Sequence, residues 1–205
     1  MKKILYGGTL VTREGIVEDK ALVFDEKIIE LVDVECINQM EGEKIPIRGW
    51  VLPGFIDIHI HGAGGSDVMD ATPEALEKIS NTVLQGGTTS YLATTMTMEQ
   101  EIILDAFAAV REAMKHPSGA RILGIHLEGP FISPEYKGAQ DAQYIQKPHS
   151  DWIQEDLDII KIITLAPEMD ENFSFIKEMK DKVILSIGHS GADYQTATSA
   201  FDAGA

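Results

Sequence analysis

The pattern of apolar and polar residues changes near residue 50 of the chain. Before that point, apolar runs such as "KILYGGTLVT" and "ALVFDEKIIELVDV" are broken by glycines or charged residues and show no helical period. Runs of this kind predict strands and hairpins. From Val51 onward, apolar runs of strand length alternate with segments whose apolar residues recur at helical spacing. We therefore assign residues 1–50 to a small β domain and residues 51–205 to an α/β region.

The helical segments of the second region carry clear sequence signals. Thr72 followed by Pro73 is typical of a helix start, and apolar residues then line one face up to Gly86. Two further apolar stripes predict helices, one formed by Ile103, Phe107, Val110 and Met114 and the other by Tyr194, Ala197 and Phe201. Because five strand-like runs alternate with helices, we expect a parallel sheet covered by its crossover helices.

Two architectures fit this alternation, an open doubly wound sheet and a (β/α)8 barrel. The turn "HGAGGSD" contains glycines, but not in the frame of a dinucleotide-binding turn. Barrel enzymes place their catalytic groups at the carboxyl ends of the strands. Polar residues recur at those predicted ends: His61, Thr95, Glu128, Glu168 and His189. A complete barrel needs roughly 250 residues, so we predict an incomplete TIM barrel of about five βα units, belonging to a longer protein.

Composition narrows the classes of partner. The chain has 33 acidic and 17 basic residues and a formal net charge of −16. Such a surface repels phosphate backbones and anionic headgroups, so we expect neither a nucleic-acid nor a membrane partner. The single cysteine, Cys36, lies in a segment predicted to be β structure and cannot form a disulfide within the chain. The first residues contain no apolar leader segment, and we expect a cytoplasmic protein.

The first candidate site is the sequence "FIDIHIHG". Side chains two residues apart in a strand point to the same side, so Asp57, His59 and His61 share one face. Two imidazoles near a strand end can chelate a divalent ion, and Asp57 is expected to orient one of them. The same pattern fits a pair of hydrogen-bonded interior histidines. The His-Ile-His motif alone favours neither a metal site nor a pair of interior histidines.

Two later strand ends carry the other candidate residues. Glu128 ends the strand of "GIHLEGPF", where a buried carboxylate needs a partner or a metal ion; His126, one layer deeper, is expected to be a hydrogen-bonded interior residue. His189 ends the fifth strand, and Ser190 or Asp193 is expected to cap the helix that follows. Histidine and carboxylate ligands from three strands suit Zn²⁺ or Fe²⁺. The predicted metal ligands are His59, His61, Glu128 and His189.

The motifs "PGFIDIHIHG", "HLEGPF", "KGAQ", "TLAPE" and "GHSGA", in this order, resemble the N-acetylglucosamine-6-phosphate deacetylase family of the amidohydrolase superfamily. The resemblance implies a (β/α)8 barrel and a small β-sandwich domain, of which residues 1–50 form part. It implies hydrolysis of the acetamide of an amino-sugar phosphate by metal-activated water, with one or two metal ions bound. It also implies a homodimer for the full-length protein.

The resemblance assigns roles to individual residues. Glu128 and His189 correspond to ligands of the principal metal, and His59 and His61 to ligands of a second metal. In the same way, Ala139 and Gln140 correspond to residues that contact the sugar phosphate, although many members have histidine at the second position.

The family's third principal ligand, a histidine in a "TH" motif, and its catalytic aspartate are expected beyond Ala205. No catalytic residue is therefore predicted within this chain, and we expect the chain by itself to be inactive. Two alternatives remain: another hydrolase of the superfamily, and a metal-binding fragment without catalysis. "HLEGP" argues against the first, because many such enzymes use a carboxylated lysine where this pattern has glutamate.

Overall fold

The computed structural model describes all 205 residues. They form two compact units, Met1–Gly54 and Phe55–Ala205. None of the helices has the length and apolar character needed to cross a membrane.

The first unit contains two small sheets. Its strands are β1 (Lys3–Tyr6), β2 (Thr9–Thr12), β3 (Gly15–Val17), β4 (Lys20–Phe24), β5 (Ile28–Asp33), β6 (Glu43–Pro46) and β7 (Trp50–Val51). One sheet has the order β5-β4-β1-β6 and the other β3-β2-β7. Ile4, Ala21, Val23 and Ile37 form a small buried core. The sandwich arrangement of this domain stays a prediction.

One expectation for the first unit is wrong. Cys36 lies in a 3-10 helix, Val34–Gln39, and not in a strand. Only Ile37 of this segment is buried, so the segment lacks the alternating buried face that holds a strand in a sheet. Cys36 itself is exposed and unpaired.

The second unit is built on a curled parallel sheet, as predicted. Its strands are β8 (Phe55–Ile60), β9 (Gly62–Ala63), β10 (Ser66–Asp67), β11 (Thr88–Thr94), β12 (Arg121–Glu128), β13 (Ile160–Leu165) and β14 (Ile184–Ile187). Five of them form a sheet in the order β14-β13-β12-β11-β8, in which every neighbouring pair is parallel. The short strands β9 and β10 form a separate antiparallel pair. A five-stranded parallel half-barrel is consistent with part of a TIM barrel.

Four helices accompany this sheet. They are α1 (Pro73–Gln85), α2 (Gln100–Ala113), α3 (Ser174–Met179) and α4 (Tyr194–Ala203). Of these, α1, α2 and α4 correspond to the three segments predicted to be helical. The hydroxyl of Thr72 accepts a hydrogen bond from the backbone N–H of Ala75, which confirms the predicted helix start. Ile103, Phe107 and Val110 are buried on α2 as expected. They join a core that includes buried residues of β11, β12 and β13.

The apolar stripe predicted for α4 is wrong. Tyr194 is 85% exposed and Phe201 is 60% exposed. The helix instead packs through Ala200, which is fully buried in the core of the second unit. The larger residues of the predicted stripe therefore lie outside the buried face of α4. Asp193 caps this helix by accepting a hydrogen bond from the N–H of Thr196, as expected for one of the two candidates.

Candidate metal centre

Three imidazoles surround the carboxylate of Glu128 at the carboxyl ends of the parallel strands. Oε1 of Glu128 lies 3.4 Å from Nε2 of His59 and 3.3 Å from Nε2 of His189. Its other oxygen, Oε2, lies 3.1 Å from Nε2 of His61. The strand positions explain this convergence, because Glu128 ends β12 while the histidines come from β8, the residue after it, and the turn after β14.

Two of the imidazoles are held by backbone carbonyls. Nδ1 of His61 lies 3.2 Å from the carbonyl oxygen of Thr94, and Nδ1 of His189 lies 2.9 Å from that of Tyr136. A carbonyl oxygen can only accept, so in both rings Nδ1 carries the hydrogen. The neutral form of each ring therefore has its lone pair on Nε2, facing the Glu128 carboxylate.

This arrangement fits a bound divalent cation. Lone pairs on Nε2 and on a carboxylate oxygen repel each other at 3.1–3.3 Å unless a proton or a metal ion lies between them. The ligand atoms of His59, His61 and Glu128 all lie within 4.8 Å of one another and could hold a metal ion. Nδ1–H bonds to carbonyls are the usual way in which metal-binding imidazoles are oriented.

The protonation states of His61 and Glu128 depend on each other. The hydrogen bond with Glu128 raises the pKa of His61 above its ordinary value, in spite of partial burial. Burial would raise the pKa of Glu128, but the hydrogen bond with His61 and the charges of the neighbouring imidazoles hold it below the ordinary value. Glu128 is therefore ionised at neutral pH, as a metal ligand must be.

Gln140 reaches the same carboxylate from the loop that follows β12. Its Nε2 donates to Oε2 of Glu128 over 2.8 Å, and its Oε1 accepts from the backbone N–H of Thr97 over 2.6 Å. The residue is only 3% exposed. The substrate contact predicted for Gln140 stays a prediction; in the structure, both ends of its amide are engaged with the protein.

Its neighbour Ala139 is exposed. Ala139 lines a cleft of about 420 Å³ together with Met69, Met96, Asp141 and Tyr144. The two residues predicted to meet the sugar phosphate thus face different surroundings.

His126 is a hydrogen-bonded interior residue, as expected. Nδ1 lies 2.8 Å from the carbonyl oxygen of Ile58 and Nε2 lies 2.7 Å from the hydroxyl of Thr164. Burial lowers its pKa, which favours the neutral ring. With both nitrogens engaged, His126 has no lone pair left for a metal ion.

One detail of the predicted site is wrong. Asp57 does not orient an imidazole: its carboxylate accepts from the backbone N–H of His59, two residues further along the same strand. At the end of β11, the hydroxyl of Thr94 accepts from the N–H of Ile60, and the carbonyl of Thr94 holds His61. Thr95 is fully buried, and its hydroxyl has no hydrogen-bond partner.

Sequence reasoning missed the groups that hold the histidines. The carbonyls of Thr94 and Tyr136 have no signature in the sequence, because every residue has a carbonyl. The sequence identifies Glu168 only as a polar residue near a predicted strand end. Its carboxylate in fact accepts hydrogen bonds from the hydroxyl of Ser190 and the N–H of Gly191, in the turn that carries His189.

The fold and the His–Glu cluster define the class of protein. Residues 50–204 match the model of the amidohydrolase family, and the chain belongs to that family. The chain is 40% identical to N-acetylglucosamine-6-phosphate deacetylase of Bacillus subtilis (strain 168), over 96% of this chain and 52% of that protein. It is 29% identical to N-acetylgalactosamine-6-phosphate deacetylase of Escherichia coli O157:H7, over 100% of this chain and 55% of that protein.

A solved structure shows the same likeness. The crystal structure of N-acetylglucosamine-6-phosphate deacetylase from Pasteurella multocida superimposes with a TM-score of 0.91 at 33% identity, covering 100% of this chain and 55% of that one. The chain therefore spans about half the length of the curated relatives it matches.

Proposed function

We propose that the full-length protein is a metal-dependent deacetylase that converts N-acetylglucosamine 6-phosphate to glucosamine 6-phosphate and acetate. The observation that carries this proposal is the convergence of His59, His61 and His189 on the one carboxylate of Glu128. The similarity to deacetylases of amino-sugar phosphates supports the substrate class. A hydrolase of another substrate is the alternative within the same family.

The residues of this chain would bind the metal ions and orient the imidazoles that hold them. Glu128 and His189 would hold the principal ion and His59 and His61 a second one, and such ligands suit Zn²⁺ or Fe²⁺. When bound, the ion supplies a Lewis acid and lowers the pKa of water. The carbonyls of Thr94 and Tyr136 accept from Nδ1–H of their imidazoles, so the Nε2 lone pairs would be available to an ion. The exposed turn at Ala139, beside the cleft, would meet the sugar phosphate.

The test is the Glu128→Gln variant of the full-length protein. We expect acetate release from N-acetylglucosamine 6-phosphate to fall by at least about 100-fold, with loss of bound metal. Loss of a group that is hydrogen-bonded to a metal ligand typically costs about 10- to 100-fold in affinity or activity, and loss of the ligand itself should cost more. Glu135→Gln is the matched control, since Glu135 is an exposed carboxylate in the following loop. Full turnover with unchanged metal content in Glu128→Gln would overturn the proposal. Assaying N-acetylgalactosamine 6-phosphate in parallel separates the two substrates named by the relatives.

We also propose that the 205-residue chain is not a catalyst by itself, because no general acid/base is assigned to any of its residues. The 205-residue polypeptide should release no acetate above background when prepared free of full-length enzyme. Robust deacetylation by that preparation would contradict this.

For the full-length protein we further propose a cytoplasmic homodimer without nucleic-acid or membrane partners. The net charge of −16 and the single cysteine support the compartment and the absence of such partners. The family resemblance supports the dimer. Light scattering of the full-length protein tests the dimer directly, and a monomeric mass would reject it.

A further inference from the structure

Gln140 has a buried side chain whose orientation is fixed. The backbone N–H of Thr97 can only donate, so the atom that it meets at 2.6 Å must be the amide oxygen of Gln140. The amide nitrogen then points at Glu128, where it donates to Oε2 over 2.8 Å. Gln140 is thus held as a donor aimed at the carboxylate.

We infer that Gln140 is a positioning residue for the Glu128 carboxylate. By holding Oε2, it fixes the rotation of the carboxylate so that Oε1 is turned toward His59 and His189. The inference deepens the proposed function and rests on it, since it assumes that Glu128 binds a cation.

The carboxylate needs such a partner. The terminal torsion of a glutamate side chain is broad, so packing alone does not set the plane of its two oxygens. Each oxygen of Glu128 faces a different set of imidazoles, which means that a rotation would change both sets of contacts at once. A donor on Oε2 limits that rotation, and outer partners of this kind typically change metal affinity by 10- to 100-fold.

The loop that carries Gln140 is itself anchored. The backbone N–H of Gln140 donates to the carbonyl of Lys137 over 3.0 Å, and the ammonium of Lys137 donates to the carbonyl of Gln140 over 3.0 Å. These bonds close a tight turn, so the side chain of Gln140 starts from a fixed backbone. A side chain can hold another group in one orientation only if its own backbone is fixed.

Co²⁺ titration of the full-length protein tests this role without relying on turnover. Gln140→Met removes both hydrogen bonds at similar volume, and we expect Co²⁺ to bind about 10- to 100-fold more weakly. Gln140→His should restore most of the affinity, because a neutral imidazole also offers one acceptor and one N–H donor. Gln143→Met is the matched control: Gln143 is exposed, three residues further along the same loop, and its amide donates to Asp141.

The outcomes separate this inference from the proposed function. A parent protein that takes up no Co²⁺ overturns both. A parent that binds Co²⁺, with a folded Gln140→Met variant of equal affinity, overturns the role of Gln140 alone. Should Gln140→Met fail to fold by circular dichroism, Gln140→Asn replaces it, because its shorter side chain cannot span Thr97 and Glu128. Parent-like affinity in Gln140→Asn would then reject the inference.

Discussion

The carboxylate of Glu168 accepts a hydrogen bond from the hydroxyl of Ser190 across 2.6 Å, and its other oxygen accepts from the N–H of Gly191. These bonds join the segment after β13 to the turn after β14. His189 lies in that turn with φ at 50°, a left-handed conformation that is unfavourable for a residue other than glycine. Glu168 therefore helps to hold His189 in the conformation that faces Glu128.

The Glu168→Gln variant tests this relationship. The oxygen of the new amide can accept from only one of the two donors, Ser190 or Gly191, and a neutral amide accepts more weakly than a carboxylate, so the turn should loosen. We expect the affinity for Co²⁺ to fall by about tenfold, as for other outer partners of a ligand. Glu171→Gln, at an exposed carboxylate nearby, should leave the affinity unchanged. Equal affinity in both variants would show that His189 does not depend on Glu168.

The residues of the His–Glu cluster could be predicted, because their signal is local. Because side chains alternate between the two faces of a strand, His59 and His61 lie on one face. The carboxyl ends of the strands in a parallel sheet also meet at one edge. The groups that orient the ligands could not be predicted in the same way. Gln140 reaches Glu128 only through the conformation of a loop, and the carbonyl of Tyr136 is chemically the same as any other.

The fold shows the same division between local and distant information. The five parallel strands and the start of α1 follow from period and capping, which depend on near neighbours in the chain. The buried face of α4 is set by contacts with residues that are distant in the chain, and the sequence of the helix does not specify these contacts. The sequence therefore predicted the helix but placed Tyr194 and Phe201, instead of Ala200, in its buried stripe.

Metal binding should weaken as the pH falls, beginning above the ordinary pKa of histidine. The hydrogen bond with Glu128 raises the pKa of His61 above 6.5, so its imidazolium persists to a higher pH than usual. An imidazolium has no lone pair for a metal ion, whereas Glu128, with its lowered pKa, stays ionised in this range. We expect Co²⁺ affinity to drop by up to about tenfold per pH unit for each proton displaced.

Titrations with Co²⁺ between pH 8 and pH 5.5 check this pH dependence. His61→Gln should bind more weakly throughout but show a shallower dependence on pH. His116→Gln is the control, since His116 is exposed in the turn that follows α2 and lies outside the cluster. An affinity that does not change over this range would contradict the proton competition.

Gly129 cannot be replaced without disturbing the site. Its φ is +76°, and a Cβ at this position would clash with the hydroxyl oxygen of Thr97, whose N–H holds Gln140. Gly129→Ala should therefore destabilise the protein by about 1–3 kcal/mol and weaken metal binding. Urea denaturation and Co²⁺ titration measure the two effects. Gly49→Ala separates backbone strain from the clash, because Gly49 has φ of +100° with open space around it.

The 205-residue chain should self-associate when it is prepared by itself. Strands β8 and β14 lie at the two ends of the five-stranded sheet, so each has one edge without a neighbour. On β8, Phe55, Ile56 and Ile58 are 63%, 62% and 56% exposed. An unpaired edge strand with exposed apolar side chains is a template for pairing with another chain. Multi-angle light scattering should show a mass that rises with concentration.

Charged residues on this edge should reduce the association, because lysine on an edge strand opposes pairing. The double variant Ile56→Lys/Ile58→Lys is expected to shift the chain toward the monomer at the same concentration. Leu84→Lys is the matched control: Leu84 is 42% exposed on α1, away from any strand edge, and one lysine there should leave the association unchanged. Equal masses for the parent, the double variant and the control would show that the β8 edge does not drive association, since the interface would then lie elsewhere on the chain.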